Sequence, residues 1–157
     1  MTRPEPAGVA WADLEAAAPA IAADGGRLLH HPNGVGGLLA TVRGDAPPRI
    51  NAVSVAIVDG RLLVFVLPSA KRTDLVGDGR YALHAHQDPA APSEFSVRGR
   101  AMQVDDAAIR ASAAAVWPFE VDESYWLFEL RIEAAVIGRR RTANDWPPVY
   151  EVWPPRA

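Results

Sequence analysis

Apolar residues recur at helical spacing near the start of the chain and with a period of two over most of the remainder. The alanine-rich stretch 11–23 predicts helix, and Pro19 divides it. Because the residue before a proline avoids the α-helical region, we expect two short helices joined near Pro19. Gly25 and Gly26 favour an end of the second helix there, and a continuation to Leu29 also fits the pattern.

The middle of the chain alternates between apolar and polar positions and predicts an antiparallel sheet, since the connections are too short for parallel crossovers. The pair Asp59-Gly60, between two apolar runs, is the strongest hairpin signal. In the run before it, residues 49–58, both alternating faces are largely apolar, which predicts a central strand buried on both sides. The predicted strands cover residues 38–43, 49–58, 61–67, 81–87, 94–104, 124–137 and 149–153.

Two more helices accompany these strands, and all the elements fit one domain over 1–157. Ser69 is a good N-cap for a short helix that Gly77 ends, and Asp105 and Asp106 cap an alanine-rich helix to residue 116. The fold class is mainly β (α+β), a closed antiparallel sheet with peripheral helices. The irregular segments are a flexible tail (1–10), a loop (30–37) and a turn or loop (88–93).

Composition narrows the class of protein. A length of 157 residues fits one domain, and the absence of cysteine excludes disulfides, cysteine zinc sites, iron–sulfur clusters and thiol catalysis. The net charge of −3 argues against nucleic acid as a partner. No stretch of 18 apolar residues predicts a membrane span, and the polar, proline-rich start is not a secretory signal. We therefore expect a soluble, cytoplasmic protein with no membrane partner.

The most informative stretch joins a strand to a helix at residues 64–72. A helix N-terminus offers free N–H groups and the positive end of a dipole, and this one carries Ser69, Lys71 and Arg72. Lys71 is the only lysine beside 15 arginines, which favours a position where a compact ammonium matters. Arg49, on a neighbouring strand, adds a cation at the same end of the sheet. The combination indicates a phosphate site; the alternative is an ordinary capped helix with solvated charges.

Two histidines stand at a spacing that suits a metal. His84 and His86 place both rings on one face of a strand, but no third ligand is evident, so no metal site is predicted. Structural or solvent-facing histidines are the favoured interpretation. The candidates for a third ligand are His30, His31 and Glu94.

Other chemical motifs are weaker. The run Arg139-Arg140-Arg141 at a strand end is expected to be solvated rather than to bind nucleic acid. No Ser-His-Asp order or carboxylate pair stands out, so we name no catalytic side chain.

Five runs of the chain, taken in order, carry a family resemblance: PRINAV at residues 48–53, DGRLLVFV at 59–66, SAKRTDL at 69–75, GRYALH at 79–84 and EFSVRGRA at 94–101. Together they resemble the pyridoxamine 5'-phosphate oxidase-like, flavin-binding split-barrel family. The similarity covers residues 38–104 well, and the distal strand and Trp153 more loosely.

The resemblance implies a six-stranded antiparallel split barrel with peripheral helices, and a homodimer that binds FMN at its interface. Some relatives use F420 instead. The implied cofactor contacts are the phosphate ligands Ser69, Lys71 and Arg72, the phosphate and ring-edge contacts Arg49 and Asn51, and the backbone contacts Val66 and Leu67.

Two departures from the family pattern matter. A threonine common at the end of the strand before this helix is here Val66, or nearby Leu67, so one hydroxyl contact is missing. The C-terminal arginine and histidine pattern that grips substrate phosphate in pyridoxamine phosphate oxidases is not visible. This argues against pyridoxal phosphate synthesis and leaves the small-molecule substrate open.

Two functions are compatible with this sequence. The first is a flavin-dependent oxidoreductase, in which the cofactor carries the hydride chemistry and no catalytic side chain need be visible. The second is a non-catalytic binding protein that holds a flavin, F420, haem or another planar ligand on the same barrel. For either we expect a homodimer, because a short chain does not cover strands that are apolar on both faces or the late aromatic residues Trp146, Tyr150 and Trp153.

Overall fold

The structure is a computed structural model, and it describes residues 7–31, 34–87, 90 and 92–157. The helices are α1 (Trp11–Ala17), α2 (Pro19–Leu29), α3 (Ala70–Gly77) and α4 (Ala107–Val116). The strands are β1 (His30–His31), β2 (Gly34–Val35), β3 (Gly37–Thr41), β4 (Arg49–Val53), β5 (Ala56–Val58), β6 (Arg61–Val66), β7 (Arg80–Ala85), β8 (Glu94–Gln103), β9 (Trp126–Arg139) and β10 (Val149–Trp153).

Eight of the strands form one antiparallel sheet in the order β4-β3-β7-β8-β9-β6-β5, and β10 pairs with β9. The 14-residue strand β9 organises it: β8 pairs along one edge, while β6 and β10 share the other. The sheet curls, and its two end strands are joined along the chain by Ser54 and Val55. This is the predicted antiparallel split barrel, opened between β4 and β5 rather than closed.

The core lies on both sides of β6. Leu62, Val64 and Val66 belong to the main cluster inside the curled sheet. Helix α1 covers this cluster with Trp11 and Leu14, and α2 covers it with Ile21 and Leu29. The alternate residues of β6 belong to a second cluster under α4. That cluster contains Ala56, Leu63, Phe65, Ala113, Trp117 and Leu127.

Several local predictions are confirmed. The first helical stretch divides into α1 and α2, with Pro19 at the first position of the second helix. Asp59 and Gly60 both have positive φ, at 48° and 72°, as a two-residue hairpin turn between β5 and β6 requires. Ser69 caps α3, and Asp106 caps α4 by accepting hydrogen bonds from the backbone of Ala108 and Ile109.

The prediction of one central strand over residues 49–58 is wrong. The run breaks at Ser54, and β4 pairs only with β3, so it is an edge strand. Its Ile50 side chain is 68% exposed. A period-two pattern shows that both faces are apolar but does not show what covers them. The sheet therefore has eight strands instead of the six that the resemblance implies, because this run divides in two and the predicted strand over 149–153 joins the sheet as β10.

Of the two ends that the sequence allows for the second helix, the one at Gly25 and Gly26 is wrong and the continuation to Leu29 is confirmed. A Cβ at Gly25 would collide with the ring of Phe95. The glycine therefore permits close packing of the helix on β8 and does not end the helix.

The structure describes only part of each segment that the sequence predicts to be irregular. The loop predicted over 30–37 contains the short pair β1 and β2, although residues 32–33 lie outside the described residues, as do 1–6 of the predicted tail. Val9, placed in that tail, is bridged to Ile132 by two hydrogen bonds of 2.8 Å. Of the predicted turn over 88–93, residues 88, 89 and 91 are not described.

A buried carboxylate fixes α3 to the sheet. Asp74 is 1% exposed and accepts hydrogen bonds from Thr41 Oγ1 at 2.9 Å, Arg43 Nε at 3.0 Å and Arg49 Nε at 2.8 Å. Burial acts to raise the pKa of Asp74, but the hydrogen bonds from Thr41, Arg49 and Arg43 outweigh it and leave the pKa below its ordinary value. The folded state therefore favours the ionised form.

We predict that Asp74→Asn lowers the free energy of unfolding at pH 7 by about 2 kcal/mol, because the amide is a weaker acceptor for two guanidinium groups. A carboxyl whose pKa is lowered by folding stabilises the protein above its unfolded pKa, and this contribution is lost as the pH falls through the folded value. The gap between variant and wild type should therefore narrow below about pH 4.

Urea denaturation at pH 7 and pH 3 measures this gap, with Asp105→Asn, an exposed position, as the matched control. The control is expected to lose less stability at pH 7. A difference for Asp74→Asn that does not change with pH would contradict the assignment.

Candidate functional site

Strand β4 lies along α3 in the opposite direction, which brings predicted site residues onto one surface. At one end Arg49 bonds to Asp74 of α3, and at the other end Val53 and Lys71 line the same cavity. Alternation along β4 places Asn51 on the same face as Arg49 and Val53. The cations predicted on two separate elements therefore lie along one helix.

The cavity beside Lys71 has a volume of about 360 Å³. Its wall combines apolar and aromatic side chains with polar groups, namely two hydroxyls, an ammonium and an imidazole. The lining residues are Ala52, Val53, Ser54, Phe65, Leu67, Lys71, His86, Phe119 and Tyr125.

Lys71 is half-buried in this wall. Burial lowers the pKa of its ammonium below the ordinary value, since a desolvated group disfavours its charged form. Among the residues that the structure describes, no hydrogen bond or ion pair involves Lys71. An ammonium in this position gains from an anion, which would replace the water it has lost.

Ser69 begins α3 at the edge of the same region. Its hydroxyl accepts a hydrogen bond from the backbone N–H of Arg72 at 3.2 Å and donates one to the carbonyl of Leu67 at 3.0 Å. The N–H groups of the first helical residues, Ala70 and Lys71, have no carbonyl to bond within the helix. They add donors and a positive dipole end beside the lysine.

Arg72 points elsewhere. Its guanidinium lies 4.2 Å from the centroid of the Trp126 ring, and its Nη1 donates to the carbonyl of Ser124 at 3.0 Å. It is not among the residues lining the Lys71 cavity. Arg49 likewise lies outside that lining, at the Asp74 end of α3.

The two predicted backbone contacts differ in their surroundings. The side chain of Val66 is buried in the main core, so only its backbone is available to a ligand. Leu67 is exposed and lines the cavity. Neither residue supplies the hydroxyl that the family pattern has near this point.

The sequence does not predict the aromatic residues in the wall of the Lys71 cavity. Phe65 lies on β6, one residue before the predicted contacts, and packs edge-to-face against Tyr125 at 6.5 Å between ring centroids. Phe119 and Tyr125 come from the segment between α4 and β9, whose position no local pattern predicts. The spacing of His84 and His86 does draw attention to His86, but as a candidate metal ligand and not as a residue of this cavity.

The two histidines do not act together. His84 lies 3.9 Å from Glu94 and its Nδ1 bonds to the carbonyl of Ala85, whereas His86 lies beyond the end of β7 at the cavity. Within the described part of the chain, no group of three potential metal ligands is found. Likewise, none of the described helices is long and apolar enough to cross a membrane.

The donors present fit a phosphate with a planar aromatic body. The ammonium, the free N–H groups and the serine hydroxyl suit an anion, and the apolar and aromatic wall suits a ring. The volume is near the low end of the range of about 300–1,000 Å³ for ligand pockets. One chain therefore offers a partial site for a ligand as large as a flavin nucleotide.

Comparison with known proteins places the fold. No family model matches the chain, and no curated protein does. Several solved structures do match the chain. A haem-binding protein from Mycobacterium smegmatis superposes with a TM-score of 0.57 at 19% identity, over 74% of this chain and 51% of that one. The chain thus spans about half of the length of that protein.

Two further structures cover most of their own length. A candidate pyridoxamine 5'-phosphate oxidase from Listeria innocua gives a TM-score of 0.56 at 19% identity, over 79% of this chain and 97% of that one. PhzG from Burkholderia lata 383, in complex with tetrahydrophenazine-1-carboxylic acid, gives a TM-score of 0.51 at 15% identity, over 74% of this chain and 81% of that one. The resemblance seen in the sequence is confirmed at the level of fold. The chain has the split-barrel fold of the pyridoxamine 5'-phosphate oxidase-like proteins.

Proposed function

We propose that the protein is a flavin-dependent oxidoreductase that binds FMN at the interface of a homodimer. The observation that carries this proposal is Lys71: a half-buried ammonium with no counterion among the described residues, at a helix N-terminus and in the wall of a cavity with aromatic residues. F420, which also carries phosphate, is the alternative cofactor.

The phosphate is held by Lys71 and the first N–H groups of α3, with the Ser69 hydroxyl as a further donor once it gives up its hydrogen bond to the Leu67 carbonyl. Arg49 contributes less than Lys71, because it lies at the Asp74 end of α3 and is paired with that carboxylate. Arg72 contributes less, because it is committed to Trp126 and the carbonyl of Ser124. Each contact is charge-assisted, which makes the phosphate the main anchor.

The flavin ring lies against the apolar wall that contains Phe65, Leu67 and Tyr125. When bound, the cofactor supplies the hydride transfer, and the protein orients it and limits its contact with water. Asn51, on the same face of β4 as Arg49, is placed for the polar edge of the ring.

The late aromatic residues do not carry the dimer proposal, because Trp153 packs against the main core of its own chain and Trp146 and Tyr150 lie beside the end of β9. The homodimer is favoured by an exposed apolar patch on the outer face of β4, β3 and β7. Cross-strand pairing makes Leu38 a neighbour of Ala52 and His84, and Ala40 a neighbour of Ile50. Leu38 and Ile50 are both exposed. Since Ala52 also lines the Lys71 cavity, a second copy seated on this patch would lie next to the cavity and complete it.

A second candidate is a non-catalytic protein that holds a planar ligand on the same barrel. It is favoured by the similarity to the haem-binding protein from Mycobacterium smegmatis and by the missing hydroxyl at Val66. Fold does not decide between the two.

The absorbance of the purified protein after addition of FMN separates the two candidates. An oxidoreductase is expected to show a flavin spectrum that bleaches with a reductant and recovers in air. A Soret band after addition of haem, with no affinity for FMN or F420, would instead establish the second candidate.

We predict that Lys71→Ala weakens FMN binding by about 10- to 150-fold, the loss of one charge-assisted contact of about 1.5–3 kcal/mol. Riboflavin, which lacks the phosphate, should bind weakly and be nearly indifferent to the substitution. Arg72→Ala should cost less than Lys71→Ala, because its guanidinium is stacked on Trp126. Fluorescence titration with FMN and with riboflavin measures the affinities of the wild type and of both variants.

The matched control is Arg100→Ala, which removes a cation of β8 that is paired with Glu133 outside the cavity. As a second readout, the single lysine can be dimethylated with ¹³C and titrated by NMR. Its pKa should lie below 10.5 in the free protein and rise when FMN binds. Equal FMN affinity for wild type and Lys71→Ala would rule out a phosphate site at this lysine.

We predict that Ile50→Asp converts the dimer into a monomer, because it places a carboxylate in the apolar patch. Light scattering at micromolar concentration measures the mass. Val116→Asp, at an equally exposed apolar position on α4, is the control and should remain dimeric. A monomeric wild type would remove both the dimer and the interfacial cofactor site.

A further inference from the structure

A large cavity in the described part of the chain lies away from Lys71, at the opposite end of β9 from Trp126. It has a volume of about 1,050 Å³ and lies between α2, the end of β9 and the segment 140–149. The three consecutive arginines at 139–141, expected to be solvated, all line it. The proposed function does not use this cavity.

The carboxylates around this cavity are all committed to other arginines. Asp24 pairs with Arg27 and Arg139, and Asp145 pairs with Arg141. Arg139 has a second partner in Glu151 at 2.6 Å. This leaves Arg140, which has no carboxylate partner among the described residues, with an uncompensated positive charge in the cavity wall.

Arg140 is held in place without being neutralised. Its Nε donates to the carbonyl of Asp145 at 2.8 Å, and its Nη2 donates to the carbonyl of Ala143. Its backbone N–H donates to Ser93 Oγ at 3.0 Å. A partly buried guanidinium stays protonated in proteins, so a fixed cation without a counterion favours an incoming anion.

The wall next to this cation is flat and apolar. The Arg140 guanidinium lies 5.5 Å from the centroid of the Trp146 ring, and the indole is 75% exposed. Leu28 and Val149 extend the apolar surface. An exposed indole beside a cation offers one face for stacking a planar group.

We propose that this cavity binds an organic monoanion with a planar apolar body, of the aromatic carboxylate class. The carboxylate pairs with the remaining N–H groups of Arg140, whose planar fork suits that group. The ring stacks on Trp146. The site is distinct from the proposed flavin site, and the proposal does not depend on flavin binding.

The test uses 2-naphthoate and its neutral counterpart 2-naphthamide as probes in isothermal titration calorimetry of the full chain. We expect saturable binding of one naphthoate per chain, and naphthamide should bind at least about 10-fold more weakly. Arg140→Gln should weaken naphthoate binding by about 10- to 100-fold and leave naphthamide binding nearly unchanged.

Arg100→Gln is the matched control, since it removes the same charge from a residue that lies outside the cavity and is paired with Glu133. It should change the affinity less than about two-fold. Trp146→Leu keeps the hydrogen bonds of Arg140 to the backbone, and it should weaken the binding of both naphthoate and naphthamide. This variant tests the site even if Arg140→Gln disturbs the neighbouring segment.

Three results would overturn the proposal. They are no saturable naphthoate binding at millimolar concentration, equal losses of affinity in Arg140→Gln and Arg100→Gln, and competition between naphthoate and FMN. The last would place the probe in the flavin site. Binding of naphthoate to a protein that does not bind FMN would support this site and refute the flavin proposal separately.

Discussion

The position of α3 depends on the buried carboxylate of Asp74. A charge with almost no exposure to water must be hydrogen-bonded, and here its partners come from the end of β3, the loop after it and the start of β4. The helix is therefore fixed along the edge strand, with Lys71 carried to the far end of that strand. The same contact holds the Arg49 side chain by its Nε. One buried interaction thus sets the geometry of the candidate site.

Much of the fold could be predicted where the signal is local. The Asp59-Gly60 turn, the Ser69 cap and the division of the first helix at Pro19 each depend on neighbouring residues alone. The candidate site was predictable in part for the same reason, since the cap and the lone lysine are adjacent. The Asp74 partners, the Gly25 contact with Phe95 and the cavity residues Phe119 and Tyr125 depend on residues far apart in sequence, which no periodicity records.

The presence or absence of a carboxylate partner distinguishes the cations that stabilise the fold from Lys71 and Arg140, the two proposed to bind ligands. The protein contains many arginines, and those with carboxylate partners, such as Arg80 with Asp78 and Arg139 with Asp24, stabilise loops and strand ends. Lys71 and Arg140 lack a carboxylate partner among the described residues, and each lines a cavity with an aromatic wall. An unpaired, partly desolvated charge is unfavourable in the free protein, so binding an anion recovers that free energy.

In the proposed homodimer, the apolar patch on β4, β3 and β7 would link assembly to ligand binding. β4 is an edge strand, and an exposed apolar edge is usually covered in a folded protein. Because Ala52 belongs both to the patch and to the Lys71 cavity, a copy that covers the patch also narrows the mouth of the cavity. A ligand in contact with both chains would favour the dimer, and by linkage the dimer would favour the ligand to the same extent. The affinity for such a ligand would then depend on protein concentration, which a site enclosed by one chain would not show.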